Sequence, residues 1–185
     1  MNSKHNNLSQ HITYVILSTI FLLFIPLIAM QFSQEVAWTP ADFLIAGTLL
    51  FLTGLLYVMI TNRAKHLAYK VAIGLMLFSI LFLVWSNLAV GIIGAEDNPI
   101  NLWYFGVALT GIAGILLSRF KPTGLAYTLL AMITGIAVIT LTALLHGVQT
   151  NSLFEILGIN LLFILLFGLA GYLFLYSAKN ASQDL

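Results

Sequence analysis

Six stretches of this chain contain no Lys, Arg, Asp or Glu, and they decide what it can fold into. They are residues 12–34, 43–62, 71–95, 98–118, 122–154 and 156–178. About 20 apolar residues in a helix, rising 1.5 Å each, cross the roughly 30 Å of bilayer hydrocarbon. Each stretch is long enough. The fifth contains the polar break His-Gly-Val-Gln-Thr-Asn-Ser at 146–152, so its helix should end near Leu145. Without water to satisfy backbone groups, only helices and closed barrels span lipid. Barrel strands would alternate in polarity over segments of about 10 residues, whereas these runs are continuously apolar. The expectation is an all-α, polytopic membrane protein, one membrane domain over 1–185. Its six spans are placed at about 12–31, 40–61, 69–93, 100–119, 123–146 and 153–177.

Composition closes off the alternatives. Charged residues make up 7% of the 185, hydrophobic residues 61%, and mean hydropathy is +1.03. A soluble domain carries about 25% charged residues, so this chain cannot coat a water-facing surface. A soluble enzyme, a nucleic-acid binder and a disordered tail are excluded. There is no cysteine, hence no disulfide, thiolate metal site or catalytic thiol. Lys4 precedes the first span, as in a secretory signal, but the apolar core of roughly 19 residues exceeds the usual 7–15. A retained helix is the expected reading and a cleaved signal the alternative.

The charges are segregated. Lys4, Arg63, Lys65, Lys70, Arg119, Lys121 and Lys179 all fall on one side of a six-span topology. Glu35, Asp42, Glu96, Asp97 and Glu155 fall on the other, and only Asp184 joins the basic side. Short loops rich in Lys and Arg stay cytoplasmic, so both termini are expected in the cytoplasm. Trp38, Trp103 and Tyr104 then read as anchors at the outer interface, and Tyr57, Tyr69, Tyr127 and Tyr176 as anchors near the inner one.

The second, fourth and sixth spans open on a shared pattern: Thr39 to Asp42, Asn98 to Asn101, and Ser152 to Glu155, each pair three residues apart. This is the capping-box spacing, although the box proper has Glu or Gln at its second position. Pro40 and Pro99 stand at the first helical position, where a missing N–H costs nothing. A weak internal repeat relates spans 2–3 to spans 4–5. Leu52-Thr53-Gly54 matches Leu109-Thr110-Gly111, and Leu67-Ala68-Tyr69 matches Leu125-Ala126-Tyr127. Tandem helical hairpins and chance sharing among apolar sequences both account for it.

Few residues in the spans carry chemistry. Gly106, Thr110, Gly114 and Ser118 form a ridge of small residues at four-residue spacing. Such ridges let backbones approach closely in lipid, either as a seam inside the bundle or as a homodimer face. Asn87 and Asn160 are the strongest polar groups within spans. Hydrogen bonding between helices is one use for them, and ligand or ion contact the other. His146 with Asp42, Glu96, Asp97 and Glu155 would make an acidic rim on the outer side, attractive to cations. Pro26 should kink the first span. No Asp, Glu, Lys or Arg lies mid-span, where proton-coupled transporters usually hold one. His11 and His66 lie near the inner side and His146 near the outer, none inside a span away from its ends as a transmembrane haem pair needs, and no nucleophile–base or phosphate-loop motif is present. No catalytic residue, metal site or cofactor is expected.

The segment 84–107, with Trp85-Ser86-Asn87, Glu96-Asp97-Asn98-Pro99 and Trp103-Tyr104-Phe105-Gly106, resembles a group of uncharacterised bacterial multi-pass inner-membrane proteins. So do Trp38-Thr39-Pro40-Ala41-Asp42-Phe43 and Arg119-Phe120-Lys121-Pro122-Thr123-Gly124. The resemblance covers roughly residues 37–135. It implies a small bacterial inner-membrane protein and brings no activity with it. The functional expectation is a non-enzymatic integral membrane protein, an accessory or oligomerising component. Its partners would be the lipid bilayer and a second copy or another membrane protein, not nucleic acid. A small transporter or channel for a neutral or cationic solute is the alternative.

Overall fold

A computed structural model describes residues 2–33, 36–62, 64–94, 97–145 and 153–181, with side chains from residue 9 to residue 180 within those ranges. Among them the protein is all-helical. The helices are α1 (Asn2–Phe32), α2 (Pro40–Thr61), α3 (Leu67–Ala89), α4 (Leu102–Leu117), α5 (Pro122–Leu145) and α6 (Leu153–Ala181). A short 3-10 turn, Pro99–Asn101, leads into α4. Six helical stretches are long and apolar enough to cross a membrane, the architecture of a multi-pass membrane protein.

Local chemistry sets the helix ends. At α2 the Thr39 amide donates to the Asp42 carboxylate at 2.7 Å, and the Asp42 amide donates back to Thr39 Oγ1 at 3.4 Å. The box closes with Asp at its second position. Helix α3 stops at Ala89, short of the expected 93. Gly91 and Gly94 follow with φ of 70° and 68°, a left-handed backbone that costs other residues about 1–2 kcal/mol. Helix α4 stops at Leu117, and the turn to α5 places Arg119 and Phe120 at φ of 50° and 63° without any glycine. Helix α1 begins at Asn2, before the expected 12, and α6 runs past 177 to Ala181, because polar residues extend a helix that apolar ones have started. Pro26 lies inside α1.

The chain divides into two compact units, Met1–Arg63 and Ala64–Leu185. In the first, α1 pairs with α2. A Cβ on Gly47 would sit 3.2 Å from Leu23, and one on Gly54 2.8 Å from Val15, so both glycines let the helices approach closely.

The second unit is a closed ring of four helices, with α6 against both α3 and α5 and α4 joining α3 to α5. Its core is read most simply from α6. Ile156, Asn160, Phe163, Phe167, Ala170, Phe174 and Ser177 are buried, at spacings of four, three, four, three, four and three. Helix α6 packs on α3 and α5, where Ile73, Met76 and Leu83 of α3 and Leu125, Leu129, Met132 and Ile136 of α5 are also buried. Phe163 lies 5.5 Å from Phe82 and Phe174 lies 5.4 Å from Tyr69, ring centre to centre, within the range favoured by aromatic pairs.

Tyr69 is buried, and its hydroxyl donates to the carbonyl of Phe120 at 2.9 Å. It therefore fastens the glycine-free α4–α5 turn to the start of α3. Its counterpart in the internal repeat, Tyr127, is 73% exposed, so the two halves use the shared tripeptide differently.

Candidate functional site

The buried asparagines of the second unit are Asn87, near the end of α3, Asn101, at the start of α4, and Asn160 in α6. The loop between α3 and α4 turns inward. Ile92 and Ile93 are 1% and 0% exposed, whereas a loop lying flat on a membrane surface would leave them in contact with water or headgroups. Burying each stabilises the loop by about 1.5–3 kcal/mol relative to exposure in water. The consequence is a buried stretch of irregular backbone, whose N–H and C=O groups must find partners.

Asn101 supplies them. Its Oδ1 accepts from the amides of Ile92 at 3.1 Å and Ile93 at 2.8 Å, and its Nδ2 donates to the Ile93 carbonyl at 3.2 Å. Its own carbonyl accepts from Asn87 Nδ2 at 2.9 Å. One buried amide thus joins the end of α3, the loop and the start of α4. Asn98 does the capping alone, its Oδ1 accepting from the Ile100 amide at 3.0 Å. The capping-box spacing at 98–101 is therefore present while Asn101 serves the loop.

Asn87 and Asn160 are both buried, at 5% and 1% exposure, and they take different partners. Asn160 Oδ1 accepts from the Tyr104 hydroxyl at 2.7 Å, and its Nδ2 donates to the Ile156 carbonyl at 2.9 Å. Tyr104 is 1% exposed, and its hydroxyl joins α4 to α6 inside the bundle. Asn87 Oδ1 is different: among the described residues it is the one buried side-chain oxygen or nitrogen with no hydrogen-bond partner.

Asn87 also lines a cleft of about 460 Å³, together with Asp97, Asn98, Leu88, Leu102 and Phe105 among others. The structure brings Asn87 and Asp97 to one cavity and leaves Asn160 elsewhere, bonded to Tyr104. Asp97 is exposed, and Glu155 is exposed in the first turn of α6. Glu96 and His146 lie outside the described residues, as does Ser152. Among the described residues no three carboxylate, imidazole or thiol groups stand close enough to hold a metal ion.

The small-residue ridge of α4 divides. A Cβ on Gly114 would collide with the Thr128 side chain, and one on Gly124 would come within 2.6 Å of Ser118 Cβ. Gly114 and Ser118 thus pack against α5. Gly106 and Thr110 are exposed, and nothing lies within 4 Å of a Cβ built on Gly106.

Asn101 and Tyr104 are the polar residues whose roles the sequence concealed. Asn101 matched a capping pattern and Tyr104 sat beside Trp103 at a span end. The available signal was the pair Gly91 and Gly94, which announces a turned-in loop that needs a side chain to satisfy it.

No protein-family model, curated protein or solved structure matches the chain.

Proposed function

We propose that this is a non-enzymatic bacterial inner-membrane protein with both termini in the cytoplasm, acting as an accessory or oligomerising component. One observation carries the reading: apart from Asn87 Oδ1, the buried side-chain nitrogens and oxygens described inside the second unit are consumed by the fold. Asn160 is held by Tyr104 and Ile156. The hydroxyls of Ser79, Thr128 and Thr140 each donate to a carbonyl four residues earlier in their own helix. Groups spent in this way do not line a water path. Assembly with a second copy is supported by the open Gly106–Thr110 half of the α4 ridge, since small residues favour close helix pairing in lipid. The orientation rests on all seven Lys and Arg residues falling on one side of the topology.

The second reading, a small transporter or channel for a neutral or cationic solute, is favoured by the cleft beside Asn87 and Asp97. Reconstitution into liposomes decides between them. The accessory reading expects tight vesicles, with no flux of K⁺, protons or small neutral solutes above that of empty vesicles. It also expects a defined oligomer by light scattering in detergent. Protein-dependent flux would sink it and establish the alternative.

A further inference from the structure

We propose that the α4–α5 turn, together with the first turn of α3, binds the headgroup of an anionic phospholipid. The inference rests on the second unit alone. It holds under either reading of the protein's role and for either orientation in the membrane.

The charges of this unit stand at opposite ends. The Tyr69 hydroxyl bonds the Phe120 carbonyl, and the Tyr69 ring packs on Phe174 towards the end of α6. The start of α3, the α4–α5 turn and the last turns of α6 therefore share one end. That end carries Lys70, Arg119 and Lys121, and Lys179 in the last turn of α6 adds to its positive charge. The carboxylates described in this unit are Asp97, beyond the far end of α3, and Glu155, in the first turn of α6. The 23 residues of α3, rising about 1.5 Å each, put roughly 30 Å between the two ends. Salt screens exposed charges beyond about 10 Å. The first turns of α3 and α5 hold no acidic residue. Among the described residues, Lys70, Arg119 and Lys121 therefore meet no carboxylate.

The turn is held stiffly. Arg119 and Phe120 stand at φ of 50° and 63°, a backbone that residues other than glycine resist. Bonds on every side keep it there. The Arg119 amide donates to the Leu116 carbonyl at 3.1 Å, the Lys121 amide to that of Ser118 at 3.0 Å, and the Leu125 amide to that of Lys121 at 3.0 Å. Tyr69 holds the carbonyl between the two cations. The backbone that bears Arg119 and Lys121 is thus fixed before a ligand arrives, and their side chains are exposed. Little ordering of the chain is lost on binding.

The chemistry selects the ligand. The Arg119 guanidinium offers paired N–H donors that match a phosphate, and the lysines add point charges. In the same turn Leu116, Leu117 and Phe120 are 66%, 83% and 46% exposed. A phosphate joined to acyl chains uses both the cations and this apolar surface, whereas inorganic phosphate uses the cations alone. A zwitterionic headgroup brings an ammonium that finds no described carboxylate at this end. The ligand is therefore a phospholipid of net negative charge, such as phosphatidylglycerol.

The test uses the full chain. Native mass spectrometry from nanodiscs of phosphatidylglycerol and phosphatidylcholine in equal amounts should show phosphatidylglycerol enriched among retained lipids. In maltoside detergent, thermal unfolding is titrated with dihexanoyl phosphatidylglycerol, dihexanoyl phosphatidylcholine and inorganic phosphate. A saturable upward shift is expected with the first alone. Arg119→Gln should keep the ligand-free unfolding temperature and weaken the response about fivefold, the worth of one basic residue beside an anionic lipid surface. Lys65→Gln removes the same charge from the linker ahead of α3 and should leave the response unchanged. If Arg119→Gln does not fold, Lys121→Gln carries the same expectation. Equal retention of the two lipids, an equal shift with inorganic phosphate or with the choline lipid, a response untouched by the turn variant, or an equal loss in Lys65→Gln would overturn the proposal.

Discussion

At the scale of single residues, stability at the 90–101 end rests on Asn101 more than on the residues that look like caps. Removing its side chain strands two buried amides and one carbonyl, each costing about 1–3 kcal/mol. Asn101→Ala should therefore destabilise the protein by about 3 kcal/mol or more. Asn98→Ala, which removes a single cap bond, should cost about 1 kcal/mol. Reversible unfolding in mixed micelles measures both, and equal costs would mean that the clasp contributes nothing beyond a cap. The Tyr104–Asn160 bond gives a second expectation. Bonds between membrane helices average about 0.6 kcal/mol and reach about 1.7 kcal/mol. A double-mutant cycle of Tyr104→Phe and Asn160→Ala should return a coupling energy in that range, and a value indistinguishable from zero would show that the two side chains are merely adjacent.

At the scale of elements, the α4 ridge separates two kinds of packing within one helix. Gly114→Leu must push the Thr128 side chain and with it α5, at a cost of about 1–3 kcal/mol or more. Gly106→Leu meets open space and should leave unfolding unchanged. If Gly106 faces a second copy, as proposed, the same substitution should lower the oligomer fraction measured by light scattering while the unfolding curve stays put. The sequence made the helices legible and their inward faces illegible, for one physical reason. Polarity marks a helix and its ends, so uncharged runs, Pro40, Pro99 and the Thr39–Asp42 box were readable. In lipid both faces of a helix are apolar, so Phe163 (0% exposed) and Leu165 (61% exposed) are equally at home in the sequence. What separates them is fit against α3 and α5, and fit is not written in hydropathy. The same limit applied to the site. Asn87 was visible as an amide in a span, but Asn101, which holds its Nδ2 and leaves its Oδ1 over, was visible only as a cap.

At the scale of the whole molecule, the described loops carry the orientation. Lys65, between α2 and α3, and Asp97, between α3 and α4, are both exposed, and helix α3 separates them. The chain has no native cysteine, so Lys65→Cys and Asp97→Cys each give one reactive thiol. In intact cells an impermeant maleimide should label the second and spare the first, and the pattern should equalise when the membrane is permeabilised. Labelling of Lys65→Cys in intact cells would invert the proposed topology.

Two of the polar ties of the second unit also differ in when they can form during synthesis. The Asn101 clasp joins groups 8, 9 and 14 residues apart, so it can close once α4 has left the ribosome, before α5 and α6 exist. Short closures of this kind are entropically cheap. The Tyr104 hydroxyl has to wait for a partner 56 residues downstream. Until α6 arrives, the nascent protein is a finished α3–α4 hairpin with an unmatched phenol on the face that α6 will cover. The last helix is therefore met by a docking point already in place, and the fidelity of assembly depends on its arriving before another polar group in the membrane takes that hydroxyl.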